Sequence, residues 1–378
     1  MMNQLPDEER MVIDLVKSIV RKEIAPRAAT IDELEEFPWD VVTRLATQGL
    51  FGIFIPAEYN GSPTSFRTFL FVVEELASAC ASTAVIYGTQ ANCVSPILGS
   101  GTEEIKQKYL PDLASGRKIG ALAITEPEAG SDAGSIRTTA VRKGDRYILN
   151  GTKCFITSGN VAGTILTYAR TGGPGPKGIS AFVVENEFPG FSVGKVEKKL
   201  GIRGSTTAEL IFKDCEVPLE NRLGEEGDGF GIMVRGLTKS RFTVGAISLG
   251  IARGAFEAAV RYANERKQFG KRILEFQGMQ FMFADMATKI EAARSLVYRG
   301  GALVDAEEHE YAVLASMAKL FASDIAVEVA SMAVQAFGGY GFIRDYPVER
   351  SYRDAKITQI FEGTNQIQRM IIGRHFIE

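Results

Sequence analysis

An α+β protein of three consecutive blocks is predicted: helices over residues 1–116, short strands over 117–226, and long helices again over 227–378. Two observations predict it. Apolar residues recur at helical spacing in the outer blocks, while the middle reads as short alternating runs split by glycine and charged turns. The composition agrees: 378 residues, 45% hydrophobic and 24% charged, sustain a multidomain globular chain and exclude disorder.

In the first block, DEERMVIDLVKSIVRKEIAP places Met11, Leu15, Ile19 and Ile24 at helical spacing, with Pro26 expected to stop the helix. Two further helices follow, for which Thr64 and Thr102 are the expected N-caps, and Gly116 is expected to close the second. No charge occurs between Glu75 and Glu103. Of those 27 residues 13 are Ser, Thr, Gly, Pro, Gln or Asn, too polar for a membrane span. The stretch 84–98 therefore reads as a buried helix that lines an interior, apolar cavity.

The middle block contains the runs GALAIT, RYILNGTKCFIT, GTILTYAR, GISAFVVE, FSVGKVE and AELIFKDCEVP, each read as a strand. Beyond Gly227 come two long helical runs, FTVGAISLGIARGAFEAAVRYANERKQF and YAVLASMAKLFASDIAVEVASMAVQAF.

Charge and composition exclude several function classes. A net charge of −3 supplies no basic field for nucleic acid or an anionic membrane. Cys80, Cys93, Cys154 and Cys215 are scattered, and His309 and His375 lie far from them, so no metal site is expected. Scattered cysteines and an acidic N-terminus without an apolar leader suggest a cytoplasmic protein without membrane insertion.

Gly173, Gly175 and Gly178 form a literal G-x-G-x-x-G, but a strand enters it, two prolines interrupt it, and a strand leaves it. A dinucleotide-binding turn needs a helix at its exit, so a hairpin loop is expected. Two polar turns, Ile124–Asp132 (ITEPEAGSD) and Phe155–Asn160 (FITSGN), offer hydroxyls and backbone N–H groups to a ring edge or phosphate; ordinary turn chemistry explains them equally. Near the C-terminus, Glu362 lies in QIFEGTNQIQRM, between apolar residues and Gly363, just before a helix that Thr364 or Asn365 can cap. Such a carboxylate has the raised proton affinity of a general base, or it complements the helix dipole as a first-turn acid.

Five segments in order, TEPEAGSD from Thr125, FITS from Phe155, ERKQFG from Glu265, FGGYG from Phe337 and FEGTNQIQR from Phe361, resemble the motifs of the acyl-CoA dehydrogenase family. The resemblance runs from end to end. It implies an N-terminal all-α domain, a middle β-barrel and a C-terminal four-helix bundle. It implies FAD as cofactor, an acyl-CoA substrate dehydrogenated to the trans-2-enoyl thioester, and a role in fatty acid metabolism. By the same resemblance Glu362 abstracts the α-proton, with Phe361 and Gly363 beside the substrate. Leu122, Ile124, Thr125, Gly130, Ser131, Phe155, Thr157, Thr364 and Gln366 match flavin contacts. Arg266, Phe269, Gln335, Gly338 and Gly339 match residues that hold the dinucleotide of a neighbouring subunit, so the resemblance implies a homo-oligomer, a homotetramer. Ser131 and Arg241 match contacts to pantetheine and CoA, and electron-transferring flavoprotein is the implied partner.

The chain departs from the family pattern at Phe155 (usually Trp), Phe361 (usually Tyr) and Thr238 (often Asp). Ser240 occupies the position from which some members supply the base, and a serine cannot serve. A carrier-protein-bound thioester, or an enoyl-CoA reductase or oxidase of the same fold, is the alternative reading; a flavin-free thioester-binding scaffold is the remote one.

Overall fold

A computed structural model describes residues 5–308 and 311–377, so His309 lies outside the described residues. Helix α1 (Asp7–Ile19) buries Ile13, Val16 and Ile19. Of the expected stripe Ile19 and Ile24 are buried, whereas Met11 is 71% exposed and Leu15 also faces outward, so the buried face of the first turns is set by Ile13 and Val16 instead. Pro26 does not stop the helical path. A π turn at Val20–Ile24 and a 3₁₀ turn at Ala25–Arg27 carry the chain into α2 (Ala28–Leu34), with Pro26 in the first turn of the 3₁₀ segment, where no N–H is needed.

Helix α3 (Trp39–Thr47) follows, then α4 (Phe66–Ala79), α5 (Ala81–Ser100) and α6 (Glu103–Ala114). Ser65, rather than the expected Thr64, caps α4: its Oγ accepts from Thr68 N at 3.2 Å, while the Thr64 hydroxyl donates to Ile53 O at 3.2 Å. Thr102 caps α6 as expected, and Gly116 follows its end at φ +67°. Helix α5 is buried along most of its length between its neighbours, in keeping with its uncharged sequence.

The middle block folds as β1 (Gly120–Ala123), β2 (Thr139–Lys143), β3 (Arg146–Thr157), β4 (Thr164–Arg170), β5 (Ile179–Glu185), β6 (Phe191–Val196), β7 (Thr207–Pro218) and β8 (Arg222–Leu223). They form one sheet in the order β6-β7-β3-β2-β4-β5-β8, with β1 parallel on β4. Strand β2 is an addition to the expected set; its TAVRK sequence is exposed at every position but Ala140, which hides the alternation. The loop holding Gly173, Gly175 and Gly178 joins β4 to its antiparallel partner β5, so it is a hairpin loop.

Helix α7 (Gly229–Glu265) is the strut of the last block. A short ribbon of β9 (Lys267–Gln268) and β10 (Lys271–Arg272) leads on to α8 (Gln277–Asp305), α9 (Ala312–Phe337), α10 (Pro347–Thr358) and α11 (Asn365–Arg374). Helix α7 packs against α4, α5, α8, α9 and α10. Its close approach to α4 depends on Gly254, where a Cβ would fall 2.0 Å from the Ser78 carbonyl oxygen. Among the described residues α7 alone is long and apolar enough to cross a membrane, and 72% of that apolar window is buried inside the protein. Glu74 on α4 ties the blocks together, accepting from Arg294 at 2.7 Å and lying 3.1 Å from Arg253.

Candidate active site

The loop from α10 to α11 carries Glu362. Helix α10 ends at Thr358 and Thr364 caps α11, its Oγ1 accepting from Ile367 N at 3.3 Å. The turn is closed by Asn365 N donating to Gln359 O at 2.9 Å. Within it Glu362 sits at φ +55° and Gly363 at φ +89°. A left-handed glutamate costs roughly 1–2 kcal/mol, and such strain concentrates at functional sites. Gln368 offsets part of it by donating to the Gly363 carbonyl at 3.0 Å.

The carboxyl of Glu362 points inward. Oε1 accepts from Asn92 Nδ2 on α5 at 3.1 Å, and Oε2 is buried with no hydrogen-bond partner among the described residues. Burial raises the proton affinity of the group above the usual carboxylate range, opposed by Ser240, Arg241, Lys319 and Asn92. Arg241 is buried on α7; its Nη1 donates to Ser316 Oγ at 3.3 Å and its Nε has no partner among the described residues. It is thus an interior cation rather than one on the helix surface.

A second wall comes from the sheet. Between Lys153 and Ile156 the register of β3 on β7 shifts, and inside this bulge Phe155 adopts φ +59° and stays 64% exposed. Beneath it the fully buried Lys153 donates to Ile124 O at 2.9 Å and Glu126 Oε1 at 2.7 Å, and Glu126 accepts from the backbone N–H of Arg137 at 2.6 Å and Thr138 at 2.9 Å. Cys154 N also donates to Thr125 O at 2.9 Å. The ITEPEAGSD turn is therefore fastened to the Phe155 bulge, which brings Ile124, Thr125, Phe155 and Thr157 together. Gly130 and Ser131 lie exposed on the same turn. Leu122 and Ile124 line a small pocket with Asn92, Tyr168, Leu237 and Ser240, and Asn92, which holds the Glu362 carboxyl, links that carboxyl to this wall.

Arg266, Phe269, Gln335, Gly338 and Gly339 line a separate cleft of about 630 Å³ at the end of the helical block. The Arg266 guanidinium stands 5.6 Å from the Tyr340 ring centre, and Phe269 is 93% exposed. This cleft shares no lining residue with the small pocket. Of the remaining residues, Phe361 and Gly363 flank the carboxylate, Thr364 serves as a helix cap, and Gln366 is exposed on α11.

Sequence reasoning missed Asn92, Tyr168 and Lys319. Asn92 gave no signal, being one amide among many small polar residues of α5. Lys319 did: it is a lone cation in the apolar run VLASMAKLFAS, where burial requires partners. The four cysteines are buried and free, and no metal-binding cluster exists among the described residues.

Models of the acyl-CoA dehydrogenase N-terminal, middle and C-terminal domains match residues 6–117, 121–215 and 227–377. The short-chain-specific acyl-CoA dehydrogenase of Clostridium acetobutylicum is 48% identical over 371 residues, covering 98% of each chain. The butyryl-CoA dehydrogenase of Megasphaera elsdenii superposes with a TM-score of 0.97 at 41% identity over 99% of both chains. A chain solved in work on the electron transferring flavoprotein of Acidaminococcus fermentans gives 0.97 at 47% identity, again over 99% of both.

Proposed function

The chain belongs to the acyl-CoA dehydrogenase family, and from that premise we propose that Glu362 is the base that takes the α-proton of an acyl-CoA thioester. The enzyme is an FAD-dependent oxidoreductase acting on acyl-CoA. FAD, when bound, supplies the acceptor for the β-hydrogen, which leaves as hydride.

One observation carries the assignment of the base: a buried carboxyl with one oxygen held by Asn92 and the other without a partner among the described residues. Oε2 receives the proton while the Asn92 amide keeps the carboxylate oriented. The backbone N–H of Glu362 makes no hydrogen bond among the described residues, which leaves it to donate to the thioester oxygen as charge gathers there. Arg241, buried close by, stabilises the ionised base and faces the thioester end of the substrate, with Ser131 toward pantetheine. Gly363 at φ +89° admits the close approach of that thioester.

The residues present fit FAD. No atom lies within 4 Å of where a Cβ would stand at Gly130, Gly338 or Gly339, so these backbones can be approached closely. The exposed Phe155 ring, with Leu122, Ile124, Thr125, Gly130, Ser131 and Thr157, would hold the flavin from the sheet side, with Thr364 and Gln366 from α11. Arg266, Phe269, Gln335, Gly338 and Gly339 would hold the dinucleotide of an adjacent subunit, making the enzyme a homotetramer. We divide the chain into domains at 1–116, 117–226 and 227–378, place it in the cytoplasm, and assign electron-transferring flavoprotein as its acceptor.

Glu362→Gln tests the reading. Bound FAD and affinity for acyl-CoA should persist, while anaerobic bleaching of the flavin by acyl-CoA slows roughly 10²–10⁴-fold. Bleaching at the wild-type rate would remove Glu362 from its role.

A further inference from the structure

Three polar residues of α9, Lys319, Ser323 and Asp324, meet the loop that carries Glu362. Lys319 is fully buried, and its Nζ donates to Asn365 Oδ1 at 2.7 Å. Ser323 Oγ accepts from Asn365 Nδ2 at 2.9 Å. Asp324 Oδ1 accepts from Asn365 Nδ2 at 2.7 Å and from Gln359 Nε2 at 2.7 Å, and its Oδ2 accepts from Arg369 Nη2 at 2.9 Å. Gln359 precedes Glu362 and Asn365 follows it. One helix face thus grips both ends of a turn whose middle is a left-handed glutamate.

The loop needs such a grip. Left to its own preference Glu362 would leave the left-handed region, and the carboxyl would swing away from Asn92. Neutral residues would suffice for the grip alone, yet Lys319 brings a charge into the protein interior, which is costly unless compensated. Its compensation comes from the Glu362 and Asp324 carboxylates, whose attraction opposes the burial that takes the Lys319 ammonium down to about 7. From the reading of Glu362 as the base, we infer that Lys319, with Ser323 and Asp324, is a positioning element for it: the α9 trio fixes the loop, and the lysine places a buried positive charge behind the carboxylate.

The groups facing Glu362 come from several elements: Asn92 on α5, Ser240 and Arg241 on α7, Lys319 on α9, and the buried Tyr168 hydroxyl on β4. Arg241 remains charged throughout the working range, so it cannot account for a change on removing Lys319.

The test is Lys319→Met in the FAD-loaded enzyme, reading the pH dependence of anaerobic flavin bleaching at saturating butyryl-CoA. FAD content and affinity for a non-reactive thioether analogue of butyryl-CoA should stay within about twofold, since Lys319 lines neither the cleft nor the small pocket. The acid limb of the rate profile should move to higher pH by roughly 0.5–1 unit, because a nearby cation favours the ionised base. A rate lowered equally at all pH values, or an unchanged profile, would overturn the charge role. If the methionine variant does not fold, Lys319→Gln keeps a donor for Asn365 while removing the charge, and must give the same displacement. Glu362→Gln separates the two ideas: if it bleaches normally the base assignment fails, whereas an inert Glu362→Gln beside an unshifted Lys319→Met defeats only the positioning role.

Discussion

Asn92→Leu removes the amide that binds the Glu362 carboxyl and replaces it with an apolar side chain of similar volume. Asn92 Nδ2 is 3.1 Å from Oε1 and donates to the carboxylate, so it favours the ionised form. A hydrogen bond to a charged group contributes about 1.5–3 kcal/mol. At about 1.4 kcal/mol per pKa unit that equals roughly 1–2 units, and because Asn92 is only half-buried the lower end applies. Its loss adds to burial, which already raises the group, so the pKa must rise. The base is active when ionised, and the acid limb of the bleaching rate should therefore climb by about 1 pH unit. Below the limb the variant should be about tenfold slower than wild type; well above it the two rates should converge. Stopped-flow bleaching from pH 5 to 9 with saturating butyryl-CoA measures this. An acid limb at the wild-type pH, or one displaced downward, would refute the view that Asn92 holds the carboxylate.

Arg241→Ala removes one of the two buried cations that act on the Glu362 carboxylate and should weaken thioester binding or flavin reduction by more than the roughly 0–1 kcal/mol of an exposed ion pair; titration of flavin absorbance with acyl-CoA reads it. Arg266→Ala should release FAD more readily and shift the dilution at which the oligomer dissociates, measured by light scattering with flavin absorbance, and wild-type FAD retention would contradict a shared dinucleotide site. Asp354 is buried, accepts from Ile202 N at 2.5 Å, and is pushed by burial up to about 6. Its folded pKa exceeds the unfolded one, so its contribution is fully present below about pH 4 and lost as pH rises through 6. Asp354→Asn keeps an acceptor for Ile202 and should raise stability relative to wild type by about 2–3 kcal/mol above pH 6 and by nothing near pH 4, visible as a melting-temperature difference that appears only on the alkaline side.

The order of blocks was legible because helical and strand periodicities differ over long windows, and α5 could be read as interior from its lack of charge alone. Local competition escaped the pattern. Ser65 displaced Thr64 as cap because it also reaches Glu9, its backbone N–H donating to Oε1 at 2.9 Å, a partner 56 positions away. Strand β2 exposes Val141, Arg142 and Lys143 in succession, so alternation does not reveal it. Within the site, the positions of Glu362, Phe155 and the ITEPEAGSD turn were readable from sequence. The left-handed backbones of Glu362 and Phe155 and the Lys153–Glu126 fastening were not, since bulges and buried ion pairs arise from tertiary packing. Asn92 meets Glu362 across 270 positions, a separation that no local pattern spans.

Helix α5 lacks a charged face and packs in part against α7, with the whole sheet domain intervening in the chain. At 5–20 residues per second, a ribosome needs on the order of 10 s to make that intervening segment. During this interval α4 and α5 lack the long helix that packs on both of them in the finished fold. That exposure is set by topology, whatever the final stability of the enzyme, and a stall before α7 leaves it uncovered. Soluble yield should accordingly respond to translation speed across the sheet domain and to chaperone supply, more than to the strength of contacts in the finished fold.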